Sequence, residues 1–235
     1  MKKTSTFLSI VLFITSIYSV SFGQEKIEKN PHFSVEVLTG YNAGFGTQAN
    51  IKLTDFAEQF PFGLRLGAGY SVFNPGYSPD ARRIFINNNT NGVPEKSGSA
   101  FDYRFDFLLP VSLFKIEHSY FVLGPRYSNF KGNFKYIGGN EDFDIISKQW
   151  GVGGGFESHF KMTRKVKLIL AFGLDYFFND TLTGHDTSYS PDNDNVNARK
   201  DNQNDNVRFV YKDADDAINQ PEISPRAMIG LSFGF

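Results

Sequence analysis

Glu157, Ser158 and His159 are three consecutive residues of the types that act as orienting carboxylate, nucleophile and general base in hydrolysis. They lie at 147–160, where apolar and small or polar residues alternate as they do in a β-strand. Because successive side chains of a strand point to opposite faces, Ser158 would point away from both Glu157 and His159. The sequence therefore predicts that the protein is not an enzyme, and a lipid-modifying activity is the less favoured alternative.

Cation binding is a second candidate chemistry, in the long polar segment at 179–221. Asp192 and Asp194 alternate there with asparagines, and clustered carboxylate and amide oxygens are the ligands that Ca²⁺ uses. The segment lacks the glycine and the final glutamate of an EF-hand loop. We therefore predict a solvated surface loop, with no metal and no cofactor, and keep the two aspartates as weak candidate ligands. The absence of cysteine excludes disulfides, thiol catalysis and thiolate metal sites.

Period-two alternation divides most of the chain into eight segments, which we predict to be strands. They are 33–43, 47–56, 61–74, 99–114, 119–130, 147–160, 165–178 and 222–235. Each is as long as a tilted transmembrane strand, which needs roughly nine to eleven residues. The connections after the second, fourth and sixth segments are short, whereas those after the third, fifth and seventh are long and polar. This pattern predicts an all-β fold, an eight-stranded antiparallel up-and-down transmembrane β-barrel.

The two faces of the predicted strands differ in composition. One face is apolar, with Tyr and Trp gathered towards one rim and Phe towards the other, as in the aromatic girdles of membrane barrels. The opposite face combines glycines with charges, which suits the crowded interior of an eight-stranded barrel. We therefore predict that the apolar face is outside. A secreted lipocalin-like barrel, with the apolar face around a ligand, is the alternative.

The charged residues of the second face would then lie in the barrel lumen. They are Glu36, Lys52, Arg65, Asp102, Arg104, Asp106, Arg126, Glu157, Lys167, Asp175 and Arg226. The two signs nearly balance, and buried charges that are not paired cost several kcal/mol each. We predict one connected ion-pair network that plugs the barrel. An ion-selective pore would need an excess of one sign and a wider lumen.

The N-terminus has the features of a secretory signal. Lys2 and Lys3 precede a mostly apolar stretch at 7–20, and small residues at 21–23 suit a signal peptidase. We predict a signal peptide at 1–23 and one barrel domain at 24–235, with an uncleaved anchor helix as the alternative. The whole chain has 24 basic and 25 acidic residues, and this balance gives no indication of a nucleic-acid partner.

The long connection at 74–98 contains Arg82 and Arg83, followed by Ile84, Phe85 and Ile86. These residues could contact anionic lipopolysaccharide or a partner. The favoured alternative is a structural cap over the barrel mouth.

Four stretches carry a resemblance to a known family: FGLRLGAGY at 62–70, WGVGGG at 150–155, FGLDY at 172–176 and GLSFGF at 230–235. With these stretches the chain resembles the small outer-membrane β-barrel proteins of Bacteroidota, whose architecture is related to OmpA- and OmpX-type barrels. The resemblance implies a place in the bacterial outer membrane, among membrane lipid and lipopolysaccharide. It also implies insertion by the outer-membrane assembly machinery, which recognises a last strand ending in an aromatic residue, here with Phe233 and Phe235.

The resemblance implies no single activity, since one fold serves many functions. We expect a monomeric, non-enzymatic barrel that acts in envelope structure, adhesion or a membrane assembly through its extracellular loops, with an unidentified protein partner. A narrow channel for small solutes is the alternative.

Overall fold

Eight long strands pair with their neighbours in an antiparallel sheet that closes on itself. The structure, a computed structural model, describes residues 31–57, 60–86, 92–113, 116–200 and 208–235. The predicted signal peptide lies outside the described residues. In chain order the elements are β1 (His32–Asn42), β2 (Phe45–Thr54), β3 (Gly63–Phe73), α1 (Ser78–Phe85), β4 (Val93–Leu113), β5 (Ile116–Ile137), β6 (Asp142–Lys161), β7 (Val166–Phe177), β8 (Leu182–Thr183), β9 (Ser188–Tyr189), α2 (Tyr211–Ala217) and β10 (Ile223–Gly234).

The barrel consists of β1 to β7 and β10. β5 pairs with β6, and β1 pairs with both β2 and β10, so no edge of the eight-stranded ring is left open. For example, Val37 of β1 lies opposite Leu231 of β10. The predicted eight-stranded antiparallel up-and-down barrel is confirmed. None of the helices in the described ranges is long and apolar enough to cross a membrane.

The two alternating faces of the strands form the outer surface and the lumen of the barrel. The apolar set points outward, and Trp150 is 62% exposed. Tyr103, Tyr127 and Trp150 contact one another near the rim with the long connections, with ring centroids 6.4 and 4.9 Å apart. Rings of Phe33 and Phe235 meet at the opposite rim, 6.0 Å apart. The predicted facing of the strands is therefore the facing in the structure.

Three strands are much longer than the sequence pattern predicts. β4 begins at Val93 rather than 99, β5 continues to Ile137 rather than 130, and β6 begins at Asp142 rather than 147. Polar pairs such as Asn133 opposite Asp144 continue the ladder above the barrel, and Asn133 donates one hydrogen bond to that carboxylate and another to Asp142. The sequence prediction assigned these polar residues to loops, because it took exposed polarity as a sign of irregular backbone.

A folded cap covers the barrel mouth at this end. The inner faces of the extended β5 and β6 join α1, α2 and the short β8–β9 hairpin in one apolar cluster. Its buried members are Ala81, Ile84, Phe85, Phe130, Phe134, Tyr136, Phe143, Ile145, Leu182, Tyr189, Phe209, Tyr211, Ala214, Ala217 and Ile218. The prediction of a solvated loop at 179–221 is therefore wrong for the stretches around 182–190 and 209–220, whereas 191–200 is mostly exposed. Their apolar residues occur singly or in short runs among Asp and Asn, so no long local periodicity shows that they converge.

Arg82 is part of this cap. Its side chain is buried, forms an ion pair with Glu141 and lies over the Tyr136 ring, with Cζ 4.5 Å from the ring centroid. Ile84 and Phe85 belong to the cap core. Contact of these residues with lipopolysaccharide is therefore not supported, and the interpretation of 74–98 as a structural cap agrees with the structure.

Candidate functional site

Arg65 lies at the centre of the lumen and contacts three carboxylates. Register places it between Lys52 of β2 and Asp106 of β4, on the inner face of β3. Its guanidinium Nη2 lies 2.8 Å from Asp106 Oδ2, and Nη1 lies 3.5 Å from Glu36 Oε2 and also donates to Glu157. All four side chains are buried. One arginine thus joins β1, β3, β4 and β6 across the barrel interior.

Asp175 is a second centre, closer to the cap. Arg126 Nε donates to its Oδ1 at 2.9 Å, and Arg104 Nη2 and Arg226 Nη1 donate to its Oδ2 at 3.2 and 3.3 Å. Arg126 also reaches Asp106, with Nη1 2.7 Å from Oδ1. Arg126 therefore links this centre to the one around Arg65, and the chain of ion pairs is continuous across the lumen.

The network ends around His159 on the side of the short turns. Lys52 Nζ lies 2.7 Å from Glu36 Oε1 and 3.3 Å from His159 Nε2, and the same ring nitrogen lies 3.0 Å from Glu157 Oε1. The Lys52 ammonium also lies over the Tyr120 ring, 5.1 Å from its centroid. His159 and Tyr120 were not among the predicted network residues. The alternation of β6 could have placed His159 there, since it shares a face with Glu157.

Two predicted members do not join the network. Asp102 makes no ion pair with a described residue and instead accepts a hydrogen bond from Asn42 Nδ2 at 3.3 Å. Lys167 lies near the short-turn mouth and likewise makes no ion pair within the part of the chain that the structure describes. The other predicted charges are connected as expected.

Little space remains inside. A residual cavity of about 10 Å³ lies in the lumen among Leu38, Arg65, Glu157 and Met228. A buried water needs roughly 10–15 Å³ of such space, so at most one would fit there. Gly153 shows how tight the packing is, because a methyl group on it would lie 1.8 Å from Asp175 Oδ1 and 2.5 Å from Arg126 Nε. The lumen is filled by its own side chains, as an eight-stranded barrel allows.

Glu36, Glu157 and His159 could in principle offer three ligands to a metal ion, since one ligand atom of each lies within 4.8 Å of the others. Lys52 and Arg65 already bind both carboxylates. A cation would have to displace two positive side chains from a buried position. The residues therefore fit an ion-pair cluster better than a metal centre.

The other sequence candidates lie apart from the lumen. Ser158 Oγ lies 2.9 Å from Ser119 Oγ and points to the face opposite His159. Asp192 is exposed and accepts hydrogen bonds from Ser190 Oγ at 2.6 Å and from the Asp194 amide at 3.2 Å. These hydrogen bonds lower the pKa of the Asp192 carboxyl. Phe233 points outward from β10 and lies opposite Val35 of β1.

Comparisons with known proteins find a likeness in fold. No family model and no curated protein matches the chain. A major outer membrane protein from Thermus thermophilus is similar in structure, with a TM-score of 0.69 and 22% identity over 88% of this chain and 100% of that one. CarO2 of Acinetobacter baumannii has a TM-score of 0.40 and 12% identity over 89% of this chain and 100% of that one. Neisserial surface protein A has a TM-score of 0.36 and 12% identity over 87% of this chain and 96% of that one. The first of these likenesses shows the barrel fold, and we draw nothing from the other two.

The cap contains two buried tyrosines that the sequence analysis did not single out. Burial raises the pKa of Tyr211, and the nearby Asp215 carboxylate raises it further. Burial also raises the pKa of Tyr189, whose hydroxyl donates to the Ile84 carbonyl at 2.8 Å. Both hydroxyls stay protonated and available as donors. The Tyr189 hydroxyl ties β9 to α1, and the Tyr211 hydroxyl, which donates to Asp215 and accepts from Gln220, links α2 to the segment that follows it.

Proposed function

We propose that the protein is an outer-membrane barrel that does not conduct solutes and that holds a folded cap at the cell surface. The observation that carries this proposal is the continuous chain Arg65–Asp106–Arg126–Asp175, which crosses the lumen. A pore would need an open path through these side chains. The lumen cavity beside Arg65 and Glu157 has a volume of about 10 Å³, which supports a closed interior, and the narrow channel stays the less favoured alternative.

The outer surface supports a place in a membrane. From Phe33 to Tyr41, strand β1 makes eight steps of about 3.3 Å at a tilt of about 40°, which gives an apolar band roughly 20 Å tall. This is close to the lipid-facing height of about 25 Å in outer-membrane barrels. In such barrels the short turns face the periplasm and the longer loops face outward, so the cap would be extracellular.

Planar-bilayer recordings test the absence of conductance. We expect the purified, folded protein to give no steady single channels, because the ion pairs close the lumen. A variant with both Arg65→Ala and Arg126→Ala should leak ions if it still runs as a folded barrel on an unheated gel. An Arg208→Ala variant, which removes an exposed charge outside the barrel, is the matched control. Large, steady channels from the unaltered protein would overturn the proposal.

Through the cap, we propose, the protein acts in adhesion or in a membrane assembly. The cap presents apolar side chains to solvent, among them Tyr77 and Val196. The ordered core beneath them holds these side chains in place, and Phe85 is central to it, edge-on to Tyr189 at 5.3 Å. A partner would therefore meet a fixed surface.

Phe85→Ala tests the role of the cap. Removing a fully buried Phe is expected to lower the free energy of unfolding by about 3–5 kcal/mol. Here the cap would be destabilised rather than the barrel. Limited proteolysis of intact cells should then cut the cap, while the barrel fragment stays in the membrane. A photo-crosslinker at Val196 should capture a discrete surface partner in the unaltered protein and lose it in Phe85→Ala. Met162→Ala, which truncates an exposed side chain in the turn between β6 and β7, away from the cap, is the control. A capture pattern that survives loss of the cap would contradict this role.

A further inference from the structure

A cavity of about 380 Å³ opens at the short-turn mouth of the barrel, below the ion-pair network. The ends of β1, β2, β5, β7 and β10 surround it. Its basic lining residues are Lys52, Arg164, Lys165 and Lys167, and Asp55 is the acidic side chain among the described residues that line it. We call this cavity the basic vestibule.

Three of these four cations have no ion-pair partner among the described residues. Lys52 is paired with Glu36, but Arg164, Lys165 and Lys167 make no ion pair with any described residue. Lys167 is partly buried and lies opposite Lys161 in the β6–β7 ladder, so its nearest strand neighbour adds a like charge. An excess of positive charge around a cavity favours the binding of an anion, and among the described residues that line this one, one side-chain carboxylate, that of Asp55, stands against four cations.

The turn that carries two of these cations is ordered. Thr163 Oγ1 accepts hydrogen bonds from the amides of Lys165 and Val166, at 3.3 and 3.0 Å, and the Met162 amide donates to the Val166 carbonyl at 3.0 Å. The backbone of Arg164 and Lys165 is therefore held beside the cavity, which lowers the entropy lost when a ligand binds.

Two serine side chains on the vestibule wall add hydroxyl donors to the cations. Ser34 and Ser232 line the vestibule, are only 9% and 4% exposed, and make no side-chain hydrogen bond in the described part of the chain. In register, Ser34 lies opposite Lys52 and Ser232 opposite Lys167. Both serines line the cavity, so a ligand there could accept a hydrogen bond from each hydroxyl. Each hydroxyl thus lies beside a lysine, facing a cavity large enough for a ligand.

We infer that the basic vestibule binds a phosphate group. A phosphate has several strong acceptor oxygens, so it can accept from ammonium, guanidinium and hydroxyl donors at once. The phosphate could belong to a lipid headgroup at the barrel rim or be free in solution. The inference rests on the proposed function only for the side of the membrane that the vestibule faces, which would be the periplasmic side.

Titration of the folded full-length protein in a nonionic detergent tests the site. The probes are inorganic phosphate, dihexanoyl phosphatidic acid and, as a zwitterionic reference, dihexanoyl phosphatidylcholine, followed by calorimetry at constant ionic strength. Saturable binding of phosphatidic acid but not of inorganic phosphate would support the site with a headgroup ligand. Saturable binding of inorganic phosphate would support it with a soluble ligand. No saturation by either anionic probe at millimolar concentration would overturn the inference.

Variants locate the binding. K165Q/K167Q should weaken binding of the anionic probe by about tenfold or more, which is the effect of losing a charged hydrogen bond. K165R/K167R should retain it, and S232A should weaken it by about threefold while leaving every charge in place. K135Q/K148Q, which neutralises two exposed lysines at the cap end, is the matched control. Equal losses in the two Gln pairs, or no loss with K165Q/K167Q, would show diffuse charge attraction and overturn the site.

These results are separable from the proposed function. Binding is measured in detergent and depends neither on conductance nor on the cap. A conducting barrel could still bind phosphate, and a plugged barrel could fail to do so. Each variant is first checked for the heat-dependent gel shift of a folded barrel, so that a loss of binding reflects the vestibule.

Discussion

Replacing Arg65 with alanine is expected to destabilise the barrel by about 3–5 kcal/mol, because the change leaves buried carboxylates without their counter-charge. Arg65 is the contact shared by Glu36, Asp106 and Glu157. In the variant Asp106 would still be paired with Arg126, and Glu36 with Lys52. Among the described residues, Glu157 would have only His159 as a partner. The loss should therefore be felt most strongly at Glu157.

Urea unfolding of the protein in lipid vesicles measures this effect, with Arg208→Ala as the control for loss of an exposed arginine. A double-mutant cycle sharpens it. Glu157→Gln in the Arg65→Ala background should cost less than Glu157→Gln alone, since it removes the carboxylate that was left unpaired. If Arg65→Ala and Arg208→Ala unfold at the same urea concentration, the network does not stabilise the fold.

Gly153→Ala is expected to cost about 3 kcal/mol, although it adds a single methyl group. The added Cβ would lie 1.8 Å from Asp175 Oδ1 and 2.8 Å from Arg126 Cζ. Both side chains are buried and held by other ion pairs, so neither can move aside without breaking one. The methyl group therefore separates Arg126 from Asp175.

The neighbouring residue supplies the control. Gly154 faces outward, and a Cβ there would lie 3.4 Å from the nearest atom, the Val122 carbonyl oxygen. Gly154→Ala should therefore change the unfolding free energy by less than about 1 kcal/mol. The two variants share strand, chemistry and added volume, and they differ in the face they occupy. Similar stabilities for both would mean that the lumen is not packed as tightly as the structure has it.

The lumen shows how far sequence reasoning can go. Alternation placed Arg65 on the same face as Gly63 and Gly67, and the same rule placed Asp175 and Arg226 inside. The rule could not say which charges meet. Asp102 and Lys167 satisfy it fully, yet neither joins an ion pair with a described residue. Their neighbours across the lumen depend on the register and stagger of the closed sheet.

The cap marks a second limit. Leu182 and Tyr189 are isolated apolar residues in a polar stretch, and Phe209 to Ile218 form too short a segment among Asp and Asn for a period to stand out. They become a core only because β5 and β6 extend beyond the barrel and give them an apolar face to cover. Tertiary packing here outweighs local composition.

The sequence by itself determined the strands of the barrel, their inward and outward faces and the charge content of the lumen, because a strand's period of two is a local property of the chain. Only the tertiary structure decided which lumen charges pair with one another, which residues form the core of the cap, and where the basic vestibule lies. Arg65 and Glu157 are 92 residues apart, and Ser232 lies beside Lys167 only because β10 pairs with β7. Such contacts depend on how a closed sheet staggers its strands, and no short-range pattern in the chain encodes that stagger.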